Sequence, residues 1–99
     1  MTENPLQVII ENDPELFNLL DNTQKLAFPE NGIPMKYKLL IAMSLDAANG
    51  AVEGVKFLAL QALEAGATKE EVMQAIRLTQ YIFGVGSVYT AANALKEIF

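Results

Sequence analysis

Residues 46–71, D-A-A-N-G-A-V-E-G-V-K-F-L-A-L-Q-A-L-E-A-G-A-T-K-E-E, constrain the fold more than any other stretch. They read as the end of one helix, a turn at Asn49-Gly50, a complete helix, a stop at Gly66 and a new helix opening at Thr68. Glycine enters the left-handed conformation that ends a helix without steric cost, so Gly66 reads as a C-terminal cap. Thr68 followed three residues later by Glu71 is a capping box, in which each side chain satisfies a backbone N–H of the first turn. Between these signals Ala51, Val55, Leu58 and Ala62 recur at helical spacing, with Val52, Ala59 and Leu63 beside them. Lys56 and Glu64 fall outside that stripe.

The flanking sequence extends the same pattern. Asp13-Pro14-Glu15 is a helix start, with a capping carboxylate, a proline at the first helical position and an acid at the positive end of the dipole. The Leu16, Leu19, Leu20 and Thr23 stripe, with Phe17 beside it, carries that helix towards Ala27, and Pro29–Gly32 is a loop. Pro34 opens a second helix. Its segment Leu39–Leu45 is apolar on almost every side and predicts a buried element. The helix begun at Thr68 continues through Val72, Met73, Ile76 and Thr79 to a stop at Gly84. After the joint Gly84-Val85-Gly86-Ser87, a last helix turns Val88, Ala91, Ala92 and Leu95 inward. Residues 1–12 lack a clear period. Leu6–Ile10 fits a short extended arm or a helical turn, and the expectation is an arm packed on a neighbour. The chain is expected to be all-α, five helices in one domain spanning 1–99, with 1–12 as the arm.

Composition narrows the partners. Of 99 residues 52% are hydrophobic, yet a chain this short buries only about two-thirds of its unfolded surface. The surplus predicts a subunit interface and hence a homo-oligomer. The net charge of −5 argues against nucleic acid and against an anionic membrane surface, both of which need clustered Lys and Arg. No apolar run approaches the roughly 18 residues that cross a bilayer. Met1–Asp13 carries three acids and does not read as a secretory signal, so a cytoplasmic protein is expected.

The chain has no Cys and no His. That removes disulfides, thiolate chemistry and the commonest metal ligand, and no metal or cofactor is expected. Any proton transfer falls to Asp, Glu, Lys or Tyr. Asp46 is the most unusual of these, an acid near the C-terminus of an apolar helix where the dipole disfavours it. It either accepts backbone N–H groups at the start of the next helix or serves as an acid or base with a raised pKa. Glu53 either compensates the dipole of the third helix or pairs with Asp46 in chemistry. Lys56 and Arg77 read as surface charges, with neutralisation of a ligand carboxylate as the other role. The Gly86 and Ser87 amides, at a helix N-terminus, suit an anion, although no full phosphate loop is present. Tyr81 and Tyr89 lie eight residues apart, on one side of the joint. Met35, Met43 and Met73 read as core fillers.

Ala47-Ala48-Asn49-Gly50, the run Ala62-Leu63-Glu64-Ala65-Gly66-Ala67-Thr68-Lys69-Glu70-Glu71-Val72, the Tyr81-x-x-Gly84 joint and Val88–Leu95 resemble the carboxymuconolactone decarboxylase family, which includes the alkyl hydroperoxidase D-like proteins. The resemblance covers roughly residues 34–95. It implies an all-helical domain assembling into homotrimers or homohexamers. For the peroxidase branch it also implies a C-x-x-C pair at the start of the third helix, a His four residues on and a Glu on the preceding helix. A helix N-terminus lowers a thiol pKa, and spacings of three and four keep those groups on one face. The matching positions here are Ala51, Gly54, Leu58 and Leu39, none of which retains that chemistry. Peroxidase activity is therefore expected to be absent. The His residues of the decarboxylase branch are also missing from Glu53–Leu58.

Two functions remain. In the first, the chain binds a small organic acid or carbonyl compound and carries out non-redox lyase or isomerase chemistry. Leu39, Ala51, Gly54 and Leu58 would line the pocket, Asp46 and Glu53 would move protons, and Tyr81, Gly86 and Ser87 would hold the ligand. In the second, it is a non-catalytic oligomeric module whose site is packed shut.

Overall fold

A computed structural model describes residues 4–99. The described residues form six helices: α1 (Gln7–Asn12), α2 (Pro14–Ala27), α3 (Met35–Ala48), α4 (Val52–Glu64), α5 (Lys69–Phe83) and α6 (Val85–Leu95). They contain no strand. The contacts divide the chain at Gly32 into two compact units.

The first unit holds α1 and α2. The short α1 replaces the expected extended arm; residues 1–3 of that arm lie outside the described residues. Local polar groups close the turn. The Asn4 carboxamide oxygen accepts from the Leu6 N–H at 2.9 Å, and the Asn12 amide donates to the Val8 carbonyl at 2.8 Å. These side chain–backbone bonds offer an isolated segment what a neighbouring strand would otherwise supply. α2 starts as the sequence predicts: the Asp13 carboxylate accepts from the Leu16 N–H at 3.1 Å, with Pro14 in the first turn. No residue of α2 is buried.

The second unit, Ile33–Phe99, holds the four longer-range packed helices. Two glycine stops set its geometry. At Gly66 (φ +102°) the Ala67 N–H bonds to the Ala62 carbonyl at 2.9 Å and the Gly66 N–H to Leu63 at 3.1 Å. At Gly50 (φ +77°) Ala51 bonds to Asp46 at 2.9 Å and Gly50 to Ala47 at 3.3 Å. Both are paired bonds of the Schellman type, which consume the orphan carbonyls of a helix end and reverse the chain. The capping box opens α5 as predicted, with the Glu71 N–H donating to Thr68 Oγ1 at 3.0 Å and the Thr68 N–H to Glu71 Oε1 at 2.9 Å.

α3 packs on α4, α5 and α6, and α6 packs on α4 and α5 as well. Thus α4 and α5, although consecutive, flank the α3–α6 pair. Met43, Val55 and Val72 are the largest fully buried side chains, and Ala47, Ala59, Ala62, Ala91 and Ala94 fill the closest approaches. Alanine at these crossings lets helix backbones approach without voids. Only one side of α3 is core. Leu39, Leu40, Met43 and Ala47 are buried, whereas Ile41 and Leu45 are open to solvent. The wholly buried helix expected from the apolar run is therefore a helix with two apolar faces, one of them open to solvent among the described residues.

Candidate functional site

The α3–α4 hairpin brings Asp46 onto Gly54. A Cβ built on Gly54 would overlap the Asp46 carboxyl group, with Cγ only 2.8 Å away. Gly54 lies in the first turn of α4, where unsatisfied N–H groups and the helix dipole favour a negative charge. Asp46 makes this approach from the last turn of α3. The α3 stop at Gly50 folds the chain so that the unfavourable end of one helix lies against the favourable end of the next. No side chain caps α4, whose N-cap residue is Ala51. Asp46 thus sits over the first turn of α4 without bonding its cap, and the Asp46 backbone carbonyl instead receives the Ala51 N–H.

The other candidates divide between two places. Leu39 is buried, and Ala51, Gly54 and Leu58 are half-buried, all on the α3–α4 hairpin. Glu53 is exposed in the first turn of α4. Tyr81, Gly86 and Ser87 belong to the α5–α6 joint. Tyr81 is 82% exposed and holds nothing in place. Ser87 is buried, and its hydroxyl donates to the Gly84 carbonyl at 2.7 Å, so it is committed to the joint. Gly84 (φ +91°) is at once the last cap of α5 and the first of α6.

Both cations offered for a ligand carboxylate are already paired. Lys56 Nζ bonds Glu97 at 2.6 Å, and Arg77 reaches Glu70 at 3.4 Å. The hydrogen bond to Glu97, followed by its charge, raises the Lys56 pKa above the usual lysine value, and the same bond lowers that of Glu97. A second link, Lys36 to Glu71 at 3.2 Å, joins α3 to the α5 capping box. The Glu71 carboxyl is held below the usual carboxylate range first by the Thr68 N–H and then by Lys36. No cluster of three metal-ligating residues occurs among the described residues. Among them, too, no helix is long and apolar enough to cross a membrane.

A larger feature escaped the sequence reading. An open groove of about 490 Å³ runs between α3 and α5, over Tyr37, Leu40, Ile41, Ser44, Ala75 and Leu78, with Glu71 and Gln74 at its edge. It continues past Leu45, Ile82 and Phe83 to a recess of about 380 Å³ lined by Leu45, Asp46, Ala48, Asn49 and Phe83. Asp46 is therefore the one sequence candidate that also borders this groove. The signal was present in α3 as apolar residues all round, but periodicity does not say which face another element covers.

The comparisons with known proteins fit this architecture. The model of the carboxymuconolactone decarboxylase family matches residues 14–97. An uncharacterised protein of Methanocaldococcus jannaschii is 26% identical over 93 residues, which are 94% of this chain and 87% of that protein. The crystal structure of the apo form of a carboxymuconolactone decarboxylase family protein from Legionella pneumophila superposes with a TM-score of 0.85 at 27% identity, covering 92% of this chain and 81% of the other. A putative carboxymuconolactone decarboxylase from Burkholderia xenovorans shares the fold, with a TM-score of 0.82 at 22% identity, over 97% and 79% of the two chains. With helices, stops and joint all in place and the family model spanning nearly the whole sequence, the chain belongs to the carboxymuconolactone decarboxylase family.

Proposed function

We propose that this chain is a non-redox member of its family that acts as a self-assembling helical scaffold, with its α3–α4 site packed shut. The observation that carries this reading is the Asp46–Gly54 contact: the carboxyl occupies the space that even a methyl group at position 54 would need. Position 54 is where the resemblance places the second thiol of the peroxidase branch, so a cysteine side chain there would require the Asp46 carboxyl to swing aside. The open α3–α5 groove supports the assembly half of the proposal. Ile41, Leu45, Leu78, Ile82 and Phe83 are each more than half exposed, and an apolar face of this kind marks a contact surface. A second copy of the chain is the occupant proposed, in a homotrimer or homohexamer.

One observation favours a second reading. Asp46 is half-buried rather than sealed and borders the recess with Asn49 and Phe83. There it could serve as acid or base towards a small carbonyl compound in non-redox lyase or isomerase chemistry. An organic acid suits the recess less well, since Asp46 would repel it and Lys56 is paired with Glu97.

Native mass spectrometry of the purified protein tests the choice. The scaffold reading expects whole-number multiples of the chain mass with no bound molecule, unchanged in Asp46→Asn. A monomer would overturn it. A retained small molecule that Asp46→Asn releases would overturn it in favour of the second reading.

A further inference from the structure

We propose that the groove between α5 and α6 binds a short anionic amphiphile, an unbranched fatty carboxylate, with its head between Lys69 and Lys96. The groove has a volume of about 330 Å³ and is lined by Met73, Ile76, Val88, Ala91, Ala92, Leu95 and Phe99, with Lys69 and Lys96 as its two charged residues. It is a different surface from the α3–α5 groove and does not depend on the reading given for Asp46.

The distribution of positive charge points to this ligand class. The chain has seven basic residues against twelve acids. Lys25, Lys36, Lys56 and Arg77 are each bonded to a carboxylate, and Lys38 is engaged as well. Lys69 and Lys96 make no such ion pair among the described residues, and both line this one groove. Two cations free of close ion pairs beside an apolar channel, with Glu97 near enough to Lys96 to feel its charge, set positive groups at one groove of a protein of net charge −5.

Their placement is also asymmetric. Lys69 is the first residue of α5, and Lys96 directly follows α6. Both therefore stand at the end of the groove where α5 begins and α6 finishes. The channel then runs from Lys69 towards Ile76, about 10 Å at the helical rise per residue, over side chains that offer no polar group. Lys69 Nζ lies 5.0 Å from the centre of the Phe99 ring, which holds the ammonium over the apolar wall. The positive end of the α5 dipole adds to the same field. A cationic mouth on a short apolar channel matches a single anionic head on a medium-length tail.

Octanoate is the probe, with octanol as the same tail without charge and acetate as the head without tail. Binding to the full chain is followed by NMR of the Met73 and Val88 methyl groups. Octanoate should shift both and acetate neither. Affinity should rise about twofold for each added methylene, half the value for full burial in keeping with an open groove, and then level off. Octanol should bind about tenfold more weakly than octanoate, the combined effect expected of two exposed charge contacts. In Lys69→Gln/Lys96→Gln, octanoate should fall to the affinity of octanol while octanol is unchanged. Both lysines are exposed, and circular dichroism verifies that the variant is folded. Equal binding of octanoate and octanol to the unaltered chain overturns the proposal. So does octanoate binding that survives the double substitution, or methyl signals that do not move up to the solubility limit of the probe. If the sedimentation coefficient falls as octanoate binds, a second copy covers the groove and the proposal also fails.

Discussion

The Asp46 side chain lies against Gly54, and this contact is where the proposed closure of the α3–α4 site can be tested. In most helices Gly→Ala stabilises by about 1 kcal/mol, because alanine loses less backbone entropy. At position 54 the added methyl meets the Asp46 carboxyl, and overpacking against this flexible group costs about 1–2 kcal/mol. Gly54→Ala alone should therefore be neutral or destabilising by about 1 kcal/mol, yet stabilising by about 1 kcal/mol when Asp46 is first replaced by Ala. A double-mutant cycle in urea should give a coupling of about 1–2 kcal/mol. Strict additivity would show that the two residues do not touch. Thr68→Ala should cost about 1 kcal/mol, since it leaves an N–H of the α5 first turn without its acceptor, and chemical denaturation reads this directly. With no Cys at positions 51 and 54 or elsewhere, peroxide with a dithiol should be consumed no faster than in buffer.

At the scale of the element, the α5 start carries a pH dependence. Glu71 closes the capping box and also receives Lys36 from α3, and its folded pKa lies below the ordinary value of 4.5. A depressed carboxylate pKa stabilises the fold above the unfolded value, and that contribution is lost as pH falls through the folded one. The melting temperature of the unaltered chain should therefore drop relative to Glu71→Gln as pH is lowered below 4.5. Above the carboxylate range the difference should be constant until Lys36, whose pKa the Glu71 hydrogen bond raises, loses its proton in the alkaline range. A difference that does not vary through the acid range would remove Glu71 from the account. Element boundaries were legible in the sequence because glycine, proline, threonine and acids act within one turn of themselves. Gly66, Thr68 and Gly84 ended and began helices where their local chemistry said they should. The α1 segment was not legible, since its closure depends on Asn4 and Asn12 rather than on any apolar period.

For the whole molecule, the test lies in the α3–α5 face. Leu78→Glu with Ile82→Glu should leave the helical content unchanged, because both side chains are exposed in the single chain. If a second copy covers this face, analytical ultracentrifugation should show the assembly weakened about 100-fold, the scale at which central apolar contacts act. No weakening would mean that the copies meet elsewhere. What the sequence determined by itself was the helical class, the stops and caps, the family pattern and the loss of thiol and imidazole chemistry, all of which are local or compositional. Tertiary structure decided that Asp46 lies on Gly54, that Lys56 is taken by Glu97, and that Ile41 and Leu45 remain uncovered. Those outcomes depend on which helix faces meet, and a periodic pattern marks the apolar faces without naming their partners.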